Sequence, residues 1–317
     1  MQHYLAVRLV SLVPILFGVS LLVFSMQHLV PGDIVDIVSG DQAFGDKNAA
    51  DRLRAQLRLD RPIAEQYVLW LAGALRGNLG SSFVSGKPVF DEILRRLPVN
   101  VELAAFAIGF ALLIGIPVGT ASAVWRDTWT DAGIRFGSVL GYSIPNFWVA
   151  TLTVLLGSLV WPGMPILDYV PFTQDPQRNV TLMLIPSFVL SLTVLPLIVR
   201  MTRASMLENL RLDYVRTARS KGLPEGRVIF RHVLANSLIA VLNVTGVQVG
   251  VLIGGLVLTE EIFILPGIGR LLLESIQKRD FPVITGTTLF LAVAFVAVNL
   301  VVDLLHGFLD PRIRSRG

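Results

Sequence analysis

Cysteine is missing from this 317-residue sequence, histidine occurs four times, and charged residues make up only 16% of it. Without Cys there is no disulfide, no thiolate metal site and no thiol nucleophile, and the redox compartment is unreadable. Charge is well below the ~25% of ordinary soluble domains, while 53% of the residues are hydrophobic and mean hydropathy is +0.66. That balance excludes a soluble globule, and it excludes disorder, which needs low hydrophobicity and high net charge. The phosphate-cradling pattern G-x-x-x-x-G-K-[ST] is absent, as are H-E-x-x-H and G-x-S-x-G. No nucleotide site, metalloprotease helix or nucleophile elbow is therefore encoded. The sequence reads as a non-catalytic, all-α polytopic membrane protein without cofactor or metal of its own.

Six segments reach the ~20 predominantly apolar residues that a membrane-spanning helix needs. They are Leu9–Val30, Val101–Val124, Phe136–Val160, Thr181–Val199, Ser237–Leu258 and Val283–Val302. The first exceeds the core of a signal peptide and no small-x-small cleavage site follows it, so it is read as a retained helix. With the N-terminus inside, the inner segments hold fourteen Lys and Arg and the two short outer loops hold four. Both termini are therefore expected in the cytoplasm. The net charge of +4 reads as topology, not as affinity for nucleic acid.

Three parts are expected: residues 1–30 with the first span, an extracytoplasmic segment 31–98, and a five-helix core 99–317. In 31–98, helices are expected at Asp51–Leu59, at Ile63–Leu75 behind Pro62, and at Val89–Leu97, forming a small cap on the outer face. A plain connector is the alternative. Glycine recurs every fourth position at Gly115 and Gly119, at Gly133, Gly137 and Gly141, and at Gly246, Gly250 and Gly254. Such spacing lets helix backbones approach closely, within the chain or against another subunit. For Gly246, Gly250 and Gly254 the expectation is an interface with a partner permease. Pro14, Pro117, Pro145, Pro186 and Pro196 should kink their spans.

Span interiors carry almost no ionisable groups. Glu102 and Asp303 lie at span ends, and Asn299, Asp303 and His306 share a helix face where the chain leaves the bilayer. An ion-coupled carrier needs intramembrane acids or unwound polar helices, and this chain mostly lacks them. The polar stretch with most detail is Asp213-Tyr-Val-Arg-Thr-Ala-Arg-Ser-Lys-Gly222, in the inner loop at about 200–232. Asp213 suits an N-cap, Gly222 a left-handed C-terminal residue, and Pro224 prevents resumption of the helix. A two-turn helix about 12 Å long follows. It is either a solvated basic loop or a docking knob, with Tyr214 and Ala218 on one face and Arg216 and Arg219 placed to meet acidic residues of a soluble partner.

Arg216-Thr217-Ala218-x-x-x-Gly222 resembles the EAA-x-x-x-G loop of ABC importer permeases. The continuation Arg231-His232-x-Leu234-x-Asn236 departs from that family's I-x-L-P and is similar to its peptide-transport branch. Pro14-x-x-x-Gly18-Val19-Ser20, Pro31-Gly32-Asp33, Leu79-Gly80-x-Ser82, Ser143-Ile144-Pro145-x-Phe147-Trp148, Phe263-x-x-Pro266-Gly267-x-Gly269-Arg270, Arg279-Asp280-x-Pro282, Asn299-Leu300-x-x-Asp303-Leu304 and Leu309-Asp310-Pro311-Arg312 agree in order and spacing. The chain resembles the first permease subunit of dipeptide, oligopeptide or nickel importers. The resemblance implies the type I importer permease fold in a bacterial inner membrane. It implies a second homologous permease, two ATP-binding subunits that hold ATP and Mg, an extracytoplasmic binding protein, membrane lipid and a peptide substrate as partners, and no nucleic acid. It also implies that Asp213, Tyr214, Arg216, Thr217, Ala218, Arg219 and Gly222 form the coupling helix.

Overall fold

Two of the apolar segments bend sharply, one of them at a residue before proline. The structure, a computed structural model, describes residues 2–29, 60–160 and 168–309, and all its regular elements there are helical. They are α1 (Gln2–Leu29), α2 (Ile63–Ala74), α3 (Val89–Val124), α4 (Trp129–Ser143), α5 (Asn146–Val160), α6 (Pro176–Ser191), α7 (Leu195–Asn209), α8 (Asp213–Ser220), α9 (Ala235–Ile262), α10 (Ile268–Gln277) and α11 (Phe281–Leu309). A π-helix, Val228–Leu234, leads into α9.

The expected third span, Phe136–Val160, is not one helix. It breaks at Ile144-Pro145 with a bend of 92° between α4 and α5. Ile144 is extended, at φ −83° and ψ 123°, because a following proline pushes its neighbour out of the helical region. The expected fourth span, Thr181–Val199, breaks at Leu192–Val194, and α6 and α7 meet at 60°. Pro196 in the first turn of α7 needs no donor there. In the opposite sense, the helix expected at Val89–Leu97 does not stop. It runs through Pro98 into the second span as the 36-residue α3. Among the described residues three helices are individually long and apolar enough to cross a membrane, or up to five spans if each bent pair counts as one. The helix expected at Asp51–Leu59 lies outside the described residues.

Residues 1–98 and 267–297 cluster as one unit, and 99–266 with 298–317 as another. In the first unit, α1 and α2 meet through Phe24, Tyr67 and Trp70, with Phe24 edge-on to Tyr67 at 5.3 Å, and Ser20 Oγ and the Tyr67 hydroxyl hydrogen-bond at 2.7 Å. Leu79, Val89, Ile93, Ile268, Leu271, Val283 and Leu289 form its core. Two stretches singled out in the sequence close together there. The buried Asp280 carboxylate accepts the Ser82 hydroxyl at 2.5 Å and the Phe83 N–H at 3.0 Å.

The second unit packs α3, α5, α6, α7 and α9 around Leu103, Ala107, Met183, Leu190, Ile198, Val241 and Leu252. Gly115 and Gly119 lie against α7. A methyl on Gly119 would sit 2.6 Å from Thr202 Cβ and 2.7 Å from the Val199 carbonyl oxygen. Gly133 and Gly137 on α4 have nothing within 4 Å of that position.

Candidate functional site

The expected two-turn helix is α8. Asp213 is its first residue and not its cap: Leu212 holds the N-cap position in extended backbone with no side-chain cap hydrogen bond. Cap geometry needs a non-helical residue whose side chain turns back to the N–H groups of the first turn, and the turn Leu210–Leu212 delivers Asp213 one residue too late. Its carboxylate still suits the positive end of the helix dipole. The C-terminus forms as expected. Gly222 has φ +72°, its N–H donates to the Arg219 carbonyl at 2.9 Å, and the Leu223 N–H reaches back to the Ala218 carbonyl at 3.4 Å. That pair of bonds is a Schellman motif, with Leu223 and Ala218 in the accompanying apolar contact. Gly222→Val is expected to destabilise this end by about 1–3 kcal/mol, the cost of a left-handed residue with a branched side chain. Faster limited proteolysis at 219–224, with membrane insertion unchanged, would register it, and an unchanged cleavage rate would refute it.

Tyr214 and Ala218 share a face, but that face turns inward. Val215 and Ala218 are buried against Ala123, Met206, Val228 and Val233. The Tyr214 hydroxyl donates to Asn209 Oδ1 at 3.0 Å and lies 3.4 Å from the His232 carbonyl. Asn209 Nδ2 in turn donates to the Ser205 carbonyl at 2.9 Å and the Ser237 hydroxyl at 3.2 Å. These two residues are thus anchors that seat α8 on α7 and the π-helix. A π-helix holds one residue more than the α-helical pattern over the same length, and Val228 and Val233, both fully buried, come from it. The outer face presents Asp213, Arg216, Thr217, Arg219 and Ser220.

The two arginines on that face differ. Arg219 is held by Glu225, Nε to Oε2 at 3.1 Å and Nη2 to Oε1 at 2.6 Å. These hydrogen bonds, with the carboxylate's charge, hold the Arg219 guanidinium above its ordinary range against the opposing effect of burial. Arg216 has only a 3.6 Å pair with Asp213, both side chains more than four-fifths exposed. Arg216 is the freer charge. Glu225 was not singled out in the sequence, and only its helical-loop distance of six residues from Arg219 hints at the pair.

A buried ion pair also escaped the sequence reading. Asp131, in the first turn of α4, is fully buried and accepts Arg203 Nε at 2.8 Å, Arg203 Nη2 at 2.7 Å, Ser122 Oγ at 2.6 Å and the Asp127 N–H at 3.2 Å. Arg203 lies on α7, two turns before the segment that carries α8. Residues 72 positions apart leave no spacing signal in a sequence. Carboxylates also cluster elsewhere in this unit: Asn100 Nδ2 donates to the fully buried Glu260 at 2.6 Å, and Asn179 Nδ2 to Glu102 at 2.9 Å. Burial, with Glu102 beside it, pushes the Tyr169 hydroxyl up to about 12.

Gly246 packs inside this chain. A methyl there would meet Val302 Cγ1 of α11 at 2.4 Å, so at this position α9 packs closely on the chain's own α11. Gly250 is buried, and the surroundings of Gly254 lie outside the described residues. Among the described residues no group of three or more His, Cys, Asp or Glu is placed to hold a metal ion.

Residues 115–315 match the family model described as binding-protein-dependent transport system inner membrane component, and residues 1–104 match the model of its N-terminal part. A Brucella abortus (strain 2308) protein named as a peptide transport system permease is 41% identical over 307 residues, covering 97% of both chains. The dipeptide transport system permease protein DppB of Escherichia coli (strain K12) is 38% identical over 339 aligned positions and the di/tripeptide permease DppB of Pseudomonas aeruginosa (strain UCBPP-PA14) 39% over 336, each covering both chains fully.

Proposed function

This chain belongs to the family of binding-protein-dependent transport system inner membrane components, and on that premise we propose that it is the permease subunit of an ATP-driven importer that admits di- and oligopeptides. The observation that carries the reading is α8. A short helix locked from below by Val215, Ala218 and Tyr214, with Arg216 and Thr217 facing out, is a lever that a second protein can push without unfolding it. In the proposed arrangement it is the coupling helix and lies on the cytoplasmic side with both termini. Two ATP-binding subunits hold ATP and Mg and dock there, a second homologous permease completes the pathway, and an extracytoplasmic binding protein delivers peptide to the outer face. Six spans and a helical cap from the 31–98 segment complete the proposal. The peptide class is supported by the names of the full-length relatives.

Coupling follows from differential contact. ATP-driven closure of the docked subunits moves α8, and α8 moves α7 through Tyr214–Asn209 and the buried Val215, so the two states of the ATPase bias two states of the path. An ion-gradient carrier is not favoured, since the family works with a binding protein.

The test is to tag the chain, extract it gently from its native membrane and identify what co-purifies. A second permease with one or two P-loop ATPases is the expected result; the chain alone, transporting in vesicles without ATP, would overturn the reading. In the same preparation Arg216→Glu should weaken ATPase-subunit retention by roughly fivefold at low salt and less at high salt. Exchanging the other pair, Arg219→Glu with Glu225→Arg, should leave retention nearly unchanged, because the net charge there stays zero. Equal retention of both variants at every salt concentration would refute an electrostatic dock.

A further inference from the structure

Irregular backbone at membrane depth is tolerated only where protein buries it or where it lines a polar cavity. The second unit has two such breaks, Ile144-Pro145 and Leu192–Val194, and both open onto one cavity of about 410 Å³ lined by Tyr142, Pro145, Asn146, Val149 and Thr193. Asn146 Oδ1 and Thr193 Oγ1 are buried there without a hydrogen-bond partner among the described residues. A buried oxygen left unpaired is costly, and two at one cavity point to something that enters it and donates hydrogen bonds.

Tyr142 also lines a second cavity, of about 500 Å³, between α4 and α7. Its walls are apolar at Ile134, Val139, Leu197 and Val199, with hydroxyls at Ser138 and Ser143. Three arginines reach it: Arg135, Arg200 and Arg203. Arg203 is compensated by Asp131, Arg135 has only a 3.6 Å pair with the same carboxylate, and Arg200 has no ion pair among the described residues. The cavity is therefore net positive.

We propose that these two cavities, which share the Tyr142 wall, are this chain's share of the peptide path, with Asn146 and Thr193 bonding peptide amides at the helix breaks and Arg135 and Arg200 attracting the C-terminal carboxylate. The proposal rests on the peptide-permease reading and adds which groups meet the substrate. The chemistry matches that of a short peptide. Amide N–H groups suit the unpaired oxygens, apolar side chains suit the walls, and every free peptide has a C-terminal carboxylate for the positive end. An anionic phospholipid also satisfies the arginines and walls, but it leaves Asn146 and Thr193 at the other cavity unserved.

The absence of native cysteine makes the test clean. Single-cysteine variants Ser138→Cys, Thr193→Cys and, outside the cavities, Ser158→Cys are made in the co-purified complex and reconstituted in liposomes. Labelling of this chain by mass is followed with an anionic (sulfonatoethyl) and a cationic (trimethylammonium) methanethiosulfonate. At Ser138→Cys the anionic reagent should react about tenfold faster than the cationic one, relative to a free thiol, as a focused positive field dictates. Arg135→Gln with Arg200→Gln should bring that ratio to near one, while Arg135→Lys with Arg200→Lys should keep it. A transported dipeptide should slow labelling at Ser138→Cys and Thr193→Cys but not at Ser158→Cys. Equal reagent rates, or labelling indifferent to a dipeptide that the wild-type complex takes up, would overturn the proposal and leave the transport reading standing. Protection by phosphatidylglycerol vesicles in place of peptide would reassign the cavity to lipid. A wild-type complex that takes up no peptide would remove the transport reading, and this proposal with it.

Discussion

Arg203→Met is expected to destabilise the folded chain by about 3–5 kcal/mol, because it strands a fully buried carboxylate. Asp131 takes two of its charge-assisted hydrogen bonds from that one guanidinium, and the remaining cation, Arg135, stands 3.6 Å away and half exposed. Neutralising the carboxylate as well, in Asp131→Asn with Arg203→Met, should recover a large part of the loss, since the main penalty is the unpaired charge rather than the missing contact. Arg126→Met is the comparator. Its partner Asp127 is exposed, so its loss should cost no more than about 1 kcal/mol. Thermal stability of the detergent-solubilised protein, followed by fluorescence-detected size exclusion, measures all three. A single Arg203→Met variant no less stable than Arg126→Met would refute the argument. The pair joins α4 to α7, the helix that leads into α8.

Gly119→Ala is also expected to be destabilising, although it adds only one methyl. That methyl would fall 2.6 Å from Thr202 Cβ and 2.7 Å from a backbone oxygen of α7. A side chain can rotate away, but a backbone oxygen moves only with its helix, so α3 and α7 must separate and lose contacts along their length. Overpacking of this kind costs typically 1–3 kcal/mol. Gly137→Ala, with nothing within 4 Å, should leave stability of the isolated chain unchanged or slightly raised, since alanine favours helix. Equal effects of the two changes in the same thermal assay would show that the α3–α7 approach is not as close as described.

The glycine pair marks where sequence reading stops. Gly115/Gly119, Gly133/Gly137 and Gly246/Gly250 share one spacing, and the spacing states only that close approach is permitted. Gly119 faces α7, Gly246 faces Val302, and Gly133 and Gly137 face nothing. Which helix arrives depends on contacts between distant segments. Tyr214 and Ala218 repeat the lesson on α8. Helical periodicity placed them on one face correctly, but only the cup built by Ala123, Met206, Val228 and Val233 turns that face inward and leaves Arg216 outside.

The break at Ile144 was half legible. A proline within a span announces a kink, but a gentle bend and a 92° turn have the same local sequence, and the difference lies in whether packing around α5 rewards the sharper turn. The Gly222 terminus was fully legible, because a left-handed residue closing a Schellman motif is decided within six consecutive residues.

What the sequence alone determined is whatever period, composition and short-range backbone chemistry decide: an apolar, helical character throughout the described residues, the apolar segments though not where they break or fuse, and the α8 stop at Gly222. Tertiary structure decided the rest. It joined Asp131 to Arg203, Ser82 to Asp280 and Arg219 to Glu225, and brought two helix breaks to one cavity. The reason is physical: a charge or an unpaired oxygen is costly only in the surroundings that desolvate it, and those surroundings come from residues far away along the chain.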